Sequence, residues 1–102
     1  MKTLAQSLSE DRRLTILQAL AEDAEYRLPE TSLQRVVSHM LGTVYPDHIR
    51  AELQYLSEHR LLTVDRMRAP GGGELWVATL TPEGHQVSRG RVHPGVSRPE
   101  PR

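Results

Sequence analysis

The sequence predicts a small α+β domain: a three-helix core, then a β-hairpin and one short C-terminal helix. Three observations carry that prediction. Leu33, Val36, Val37, Met40 and Leu41 recur at the i, i+3, i+4, i+7, i+8 spacing of one helical face. Two extended apolar stretches flank the run Ala69-Pro70-Gly71-Gly72-Gly73, a strong turn signal. The 102 residues match the size of one domain.

Taken in order, the first helix reads from about residue 8 to 22. Ser7 with Glu10 three residues later has the form of a capping box, in which each satisfies an orphan amide donor. Leu14, Leu17, Leu20 and Ala21 make its apolar stripe, with Ile16 on the flank. An acidic stretch, Glu22-Asp23-Ala24-Glu25, leads to Leu28-Pro29. The second helix covers 31–41, with Thr31 or Ser32 as its cap and Gly42 as its left-handed stop. Its polar face holds Gln34, Arg35, Ser38 and His39. Pro46 opens the third helix, where a missing amide donor costs nothing, and Ile49, Leu53 and Leu56 face inward over 46–59. Strands follow near 61–68 and 74–81, and Thr81-Pro82-Glu83-Gly84 opens a last short helix to about residue 90. From Val92, three prolines and one glycine in HPGVSRPEPR give no packing pattern. The chain therefore divides into a domain over 1–91 and an extended or disordered tail over 92–102. The expected core comprises Leu14, Leu17, Val37, Leu41, Ile49, Leu53 and Leu56. Helices two and three joined by a short turn, then a glycine-tipped hairpin, give the order of a winged helix-turn-helix.

Composition narrows the function classes. Hydrophobic residues at 37% and charged residues at 25% suit a globular chain. A chain this short buries roughly 60–65% of its unfolded surface, so the core is thin, and with no Phe and one Trp it is built by Leu and Val. No apolar run reaches the roughly 20 residues of a membrane span, the start MKTLAQSLSEDRR lacks a signal-peptide pattern, and cysteine is absent. These features predict residence in the cytoplasm, with no membrane partner. Formal net charge is zero. Residues 1–42 carry five basic and six acidic side chains, 43–61 two and three, 62–81 two and two, and 82–102 four and two. A strongly basic face, the usual footprint of a nucleic-acid binder, is missing at this level.

The segment TVYPDHIRAELQYLSEHRLLTVDRM resembles the recognition-helix-to-wing segment of ArsR-like bacterial winged-helix regulators. Ile49, Leu53 and Leu56 match its apolar positions, Glu58 its acidic position and Leu61 the leucine entering the wing. The run Leu80 to Gly84 is similar to the LTxxG that follows the wing in many such regulators. With its closing tail, Pro94 to Arg102, nearly the whole chain resembles a small family of ArsR-like proteins from Mu-type phages and prophages. That resemblance implies a winged-helix fold and a phage origin, with transcription regulation as its associated activity. Arg60 departs from the pattern, standing where a glycine is usual and where positive φ is expected, at a cost of roughly 1 kcal/mol. The metal-sensing cysteines of ArsR sensors are also missing, so that activity is not carried over.

Neither a catalytic nor a metal site is expected, and no cofactor. His39, His48, His59, His85 and His93 form no HxxxH or HxH pair with a nearby carboxylate and read as surface residues. Ser7, Ser9, Ser32, Ser38 and Ser57 fit no nucleophile motif, and the triple glycine precedes no GK[ST]. Glu10 beside Asp11 reads as compensation of the helix dipole. The chain is read as a non-enzyme. Its candidate DNA-binding positions are Tyr45, His48, Arg50, Ala51 and Gln54 on the third helix, with Arg66 and Arg68 on the wing. Arg50 suits a bidentate contact to guanine and Gln54 a base or phosphate contact, while Glu52 and Asp47 repel phosphate. The bland alternative is a solvated helix face and ordinary strand-edge charges.

Two functions follow. One is a DNA-binding regulator that places residues 46–59 in the major groove of double-stranded DNA, acting as a homodimer on two half-sites. The other is a winged-helix protein-interaction module without DNA binding, serving phage assembly or host takeover. Leu4, Leu8, Val87 and Val92 have no place in the three-helix core and read as dimer surface. Arg98 and Arg102 on a mobile tail would reach phosphates as a flexible arm.

Overall fold

The computed structural model describes residues 1–100; the expectation for Arg102 lies outside the described residues. The chain folds as α1 (Leu4–Glu22), β1 (Arg27–Pro29), α2 (Glu30–Leu41), α3 (Pro46–Glu58), β2 (Leu62–Arg68), β3 (Glu74–Leu80) and α4 (Pro82–Ser88). Among the described residues this is an α+β architecture of four helices and one antiparallel sheet of order β1-β3-β2, compatible with the arrangement expected from sequence.

α1 begins a turn earlier than expected. Thr3 Oγ1 accepts from Gln6 N at 3.1 Å, and Gln6 Oε1 accepts from Thr3 N at 2.8 Å, so this pair forms the capping box. Ser7 lies inside the helix, its N–H donating to Thr3 O, and Glu10 pairs with Lys2 instead. At the other end Asp23 Oδ2 accepts from the amides of Glu25 and Arg27. This side-chain turn, with Tyr26 at φ 57°, swings the chain back along the sheet. Leu28-Pro29 is therefore a strand rather than a loop, with Arg27 opposite Thr79 and Pro29 opposite Val77. Proline is tolerated there because β1 is an edge strand.

Neither Thr31 nor Ser32 caps α2. Pro29, extended at ψ 157°, precedes the helix without a side-chain cap, and Glu30 occupies the first turn, where a carboxylate meets the positive end of the helix dipole. Gly42 stops α2 at φ 95°, as expected. The link into α3 is held by Val44 N donating to Ser38 Oγ and Gln34 Nε2 donating to Val44 O. Arg60 takes φ 61°, the left-handed conformation that the missing glycine implied. β2 and β3 pair in continuous register from Leu62↔Leu80 to Arg68↔Glu74.

The core joins Ile16, Leu17 and Leu20 of α1 to Leu33 and Val37 of α2, Ile49, Leu53 and Leu56 of α3, and Leu62, Ala78 and Leu80 of the sheet. Each large aliphatic side chain buried there contributes about 1.5–3 kcal/mol. Three sequence expectations need correction. Leu41 is 48% exposed, because it ends α2 where the chain turns away. Leu14 is only partly buried, whereas Ile16 is fully buried because α1 packs against α4 as well as α2 and α3. Val87 belongs to the core rather than to an outer surface; Leu4, Leu8 and Val92 are exposed.

The tail also departs from the expectation of no packing. Val96 is 4% exposed within the core cluster, Ser97 N donates to Glu10 O at 3.2 Å, and Arg13 Nη1 donates to Gly95 O at 2.9 Å. A single valine following a proline and a glycine has no periodicity, which is why its seat against α1 was not legible.

Gly84 marks a close approach. A Cβ there would lie 1.8 Å from Leu61 O, so only glycine lets α4 lie against the start of β2. Gly84→Ala is expected to lower stability by about 1–3 kcal/mol in urea unfolding, by forcing backbone apart in a packed core. Neutrality would show that α4 does not sit this close.

Candidate functional site

α3 is held from both flanks by buried carboxylates, and this decides what its outer surface offers. On one flank Glu52, 4% exposed, accepts from Arg12 Nε at 3.0 Å and Arg13 Nε at 2.9 Å, both on α1. Glu52 therefore faces inward and does not repel phosphate, contrary to its sequence reading. On the other flank Glu30, 7% exposed, receives Arg50 through a two-pronged contact: Nε to Oε1 at 2.7 Å and Nη2 to Oε2 at 2.8 Å. Trp76 N donates to the same Oε2 at 2.7 Å, and Arg50 Nη2 also donates to Glu74 O at 3.0 Å. The Arg50 guanidinium lies over the Trp76 ring at 4.9 Å.

Arg50 is thus committed to α2 and β3, and its donors are turned away from any groove. The cause is geometric. Arg50 lies one helical turn from Pro46 on the side facing the start of α2, where Glu30 waits. The Arg50 hydrogen bonds hold the Glu30 carboxyl below its ordinary 4.5 despite burial, which opposes them, and the Trp76 amide adds to the lowering. Glu30 in turn raises Arg50 above its ordinary value.

The remaining expected positions divide between two surfaces. Tyr45, 62% exposed, and His48 stand 6.4 Å apart at the start of α3. They line a groove with Leu8, Asp11, Arg12 and Leu41, away from the hairpin. Gln54 instead meets the hairpin, its Oε1 accepting from Arg66 Nη2 at 3.5 Å, and Arg66 lies over the Trp76 ring at 4.4 Å. Arg68 follows on the same face of β2, opposite Glu74. Between the two surfaces runs the outer crest of α3, formed by the exposed residues Asp47, Ala51, Gln54 and Glu58. Neither Asp47 nor Glu58 is in an ion pair among the described residues. Arg66 and Arg68 are consequently the cations presented where α3 meets the hairpin.

Sequence reasoning missed Glu30 and Trp76, the partners that fix Arg50. The available signal was Glu30 itself, an acid just after a proline at a helix start. Nothing in the sequence tied it to a residue 20 positions later. Among the described residues no group of three His, Cys, Asp or Glu gathers at metal-binding distance, and no helix is long and apolar enough to cross a membrane.

Arg50→Lys keeps the charge but loses the second prong and the ring contact, so stability should fall by about 1–2 kcal/mol. The lowered Glu30 value sets the pH dependence. Its contribution is complete above the unfolded value near 4.5 and is lost as pH falls through the folded value. Urea unfolding between about pH 6 and pH 3 should show that loss in the native protein and a smaller one in Glu30→Gln. Equal slopes would deny Glu30 this role.

No protein-family model matches the chain. It is 38% identical over 96 residues to the uncharacterised protein gp26 of Escherichia phage Mu, an alignment covering 93% of this chain and 94% of that protein. With that identity sustained over almost the full length of both, the chain belongs to a family of Mu-type phage proteins that includes gp26 of phage Mu.

Proposed function

We propose that this protein is a winged-helix DNA-binding regulator whose contact with the duplex is led by its hairpin. The helix, short turn and helix of α2 and α3, followed at once by the β2–β3 hairpin, support the winged-helix reading. The observation that carries the functional one is the convergence of Gln54, Arg66 and Arg68 on one exposed face where α3 meets the hairpin. Gln54 suits an adenine edge and the two arginines suit phosphates or a minor groove. The inward turn of Glu52 removes one repulsive charge from that face, while Asp47 and Glu58 keep it weakly attractive.

Arg50 has no base-reading part in this proposal; it orients α3. As a single small module the protein would act as a homodimer on paired half-sites. Leu4, Leu8 and Leu41, all exposed, offer apolar surface for pairing.

A second reading has its own support. The two exposed carboxylates on the crest of α3 suit a protein partner with basic side chains better than a phosphate backbone. On that reading the fold is an interaction module serving assembly or host takeover.

Titration against selected and random duplexes at low and moderate salt separates the two. DNA binding through two arginines per protomer predicts a log–log salt slope of about −2 per protomer. Arg66→Ala and Arg68→Ala should each weaken all sequences alike, and Gln54→Ala should cost about 1–3 kcal/mol of discrimination at one base pair. No preference for selected over random duplexes, with no effect of Arg66→Ala, would transfer the function to the protein-interaction reading.

A further inference from the structure

The C-terminal segment after α4 closes over α1 and α3 through contacts that converge on one imidazole. Gly95 N donates to His93 Nδ1 at 3.1 Å, and Val96 N donates to His93 O at 3.2 Å, forming a compact turn. That turn presents Gly95 O to Arg13 and seats Gly95 so tightly that a Cβ would lie 1.8 Å from Tyr55 Oη. It also drops Val96 into the core and brings Ser97 to the Glu10 carbonyl and the Asp11 carboxylate.

We propose that neutral His93 is the latch of a pH-sensitive clasp, holding residues 93–97 against α1 and α3 and releasing them when it is protonated. The acceptor role of Nδ1 fixes the chemistry. A neutral imidazole keeps its proton on Nε2 and its lone pair on Nδ1, facing the Gly95 amide. A second proton must go to Nδ1, which turns the acceptor into a donor pointing at a donor. The bond that shapes the turn is then lost.

The charged and titratable groups around His93 make the same state unfavourable. His59, just past the end of α3, meets its ring edge-on at 5.1 Å and is itself stacked on Tyr55 at 4.1 Å. The Arg13 guanidinium of α1 lies over the other end of this stack, 3.6 Å from the Tyr55 ring centre. Among the acids on the packed elements, Glu10 is engaged by Lys2, Asp11 by Ser97, and Glu52 by Arg12 and Arg13, while Asp47 and Glu58 lie exposed on the outer crest of α3. An imidazolium at His93 would thus meet a second imidazole and lie within the field of a cation. Burial first, then His59 and Arg13, hold its titration below the ordinary 6.5.

The sign follows by linkage. The docked tail binds the proton less readily than the released tail. Docking is therefore undiminished above about pH 6.5 and weakens as pH falls below it toward the lower docked value. Release withdraws Val96 from the core and uncovers the Tyr55 face of α3.

The test is an NMR titration of the full chain from about pH 7.5 to about pH 5, reading the His93 imidazole and the exchange protection of the Val96 and Ser97 amides. His93 should titrate below 6.5, the ordinary value. Each unit of separation from its value in the released tail should multiply the released fraction, and divide the protection, by about ten. In His93→Asn a carbonyl oxygen stands near the Nδ1 position and accepts from Gly95 N at every pH in the window, so protection should be flat. His93 titrating at or above 6.5, or protection falling equally in His93→Asn, would overturn the clasp. Should that variant fail to dock its tail, the native titration still decides: protection must track His93, and protection that does not refutes the latch.

Discussion

The carboxylate of Glu30 is the constraint on which the placement of α3 depends. It sits buried at the first turn of α2 and receives three donors, two from Arg50 in the middle of α3 and one from the backbone of Trp76 in β3. One side chain thereby ties together the helix pair and the sheet. Leu53 and Leu56 press α3 into the core but say little about its rotation, since apolar contact is non-directional. Hydrogen bonds to Glu30 on one flank and Glu52 on the other supply the direction. A buried ion pair adds little net stability against an apolar replacement, yet removing one partner costs about 3–5 kcal/mol when the pair is fully buried. The figure is smaller for Arg50, a third of whose side chain stays in water. The pairs act as locks more than as sources of stability.

Those locks shape the electrostatics of the outer surface. Arg12, Arg13 and Arg50 are all bound to carboxylates in or beside α3, the first two sharing Glu52, so the donors of three cations close to this helix are engaged within the fold and one positive charge stays uncompensated on the α1 flank. What faces outward on the crest of α3 is an alternation of acid, alanine and amide, with positive charge supplied from the hairpin. A formal net charge of zero is therefore distributed in a definite way: paired inside, acidic along the crest, basic on β2. Any nucleic-acid contact on such a surface is local and few-footed, in contrast to binding driven by a broad basic face.

The elements that were legible in the sequence are those whose signal is local. α2 and α3 announce themselves through apolar spacing, Pro46 and Gly42, and the hairpin through its triple glycine, because periodicity and turn chemistry are read from neighbours along the chain. β1 was not legible: three residues carry no alternation, and their strand character comes from pairing with Thr79 and Val77, some fifty residues away. Two competing capping boxes stood at the front of α1, and the helix took the outer one because residues 4–7 have nothing that breaks a helix. Arg50 and Glu52 were the costlier misreadings. Helical spacing put Arg50 outside and left Glu52 as an exposed charge, whereas both are anchored by residues on other elements. Long-range ion pairs leave no periodic trace, so a candidate site built from a helix face is least legible at its charged positions.

The central claim, that Arg50 fixes α3 by pairing with Glu30, is tested most directly by a double-mutant cycle in urea unfolding. Glu30→Ala, Arg50→Ala and the pair would be compared with the native protein. Coupling predicts that the double variant is more stable than the sum of the single losses implies, by about 1–3 kcal/mol, since the second truncation removes a group already left without its partner. Additivity within about 0.3–0.5 kcal/mol would mean that the two side chains act independently, and would return Arg50 to the exposed surface of α3.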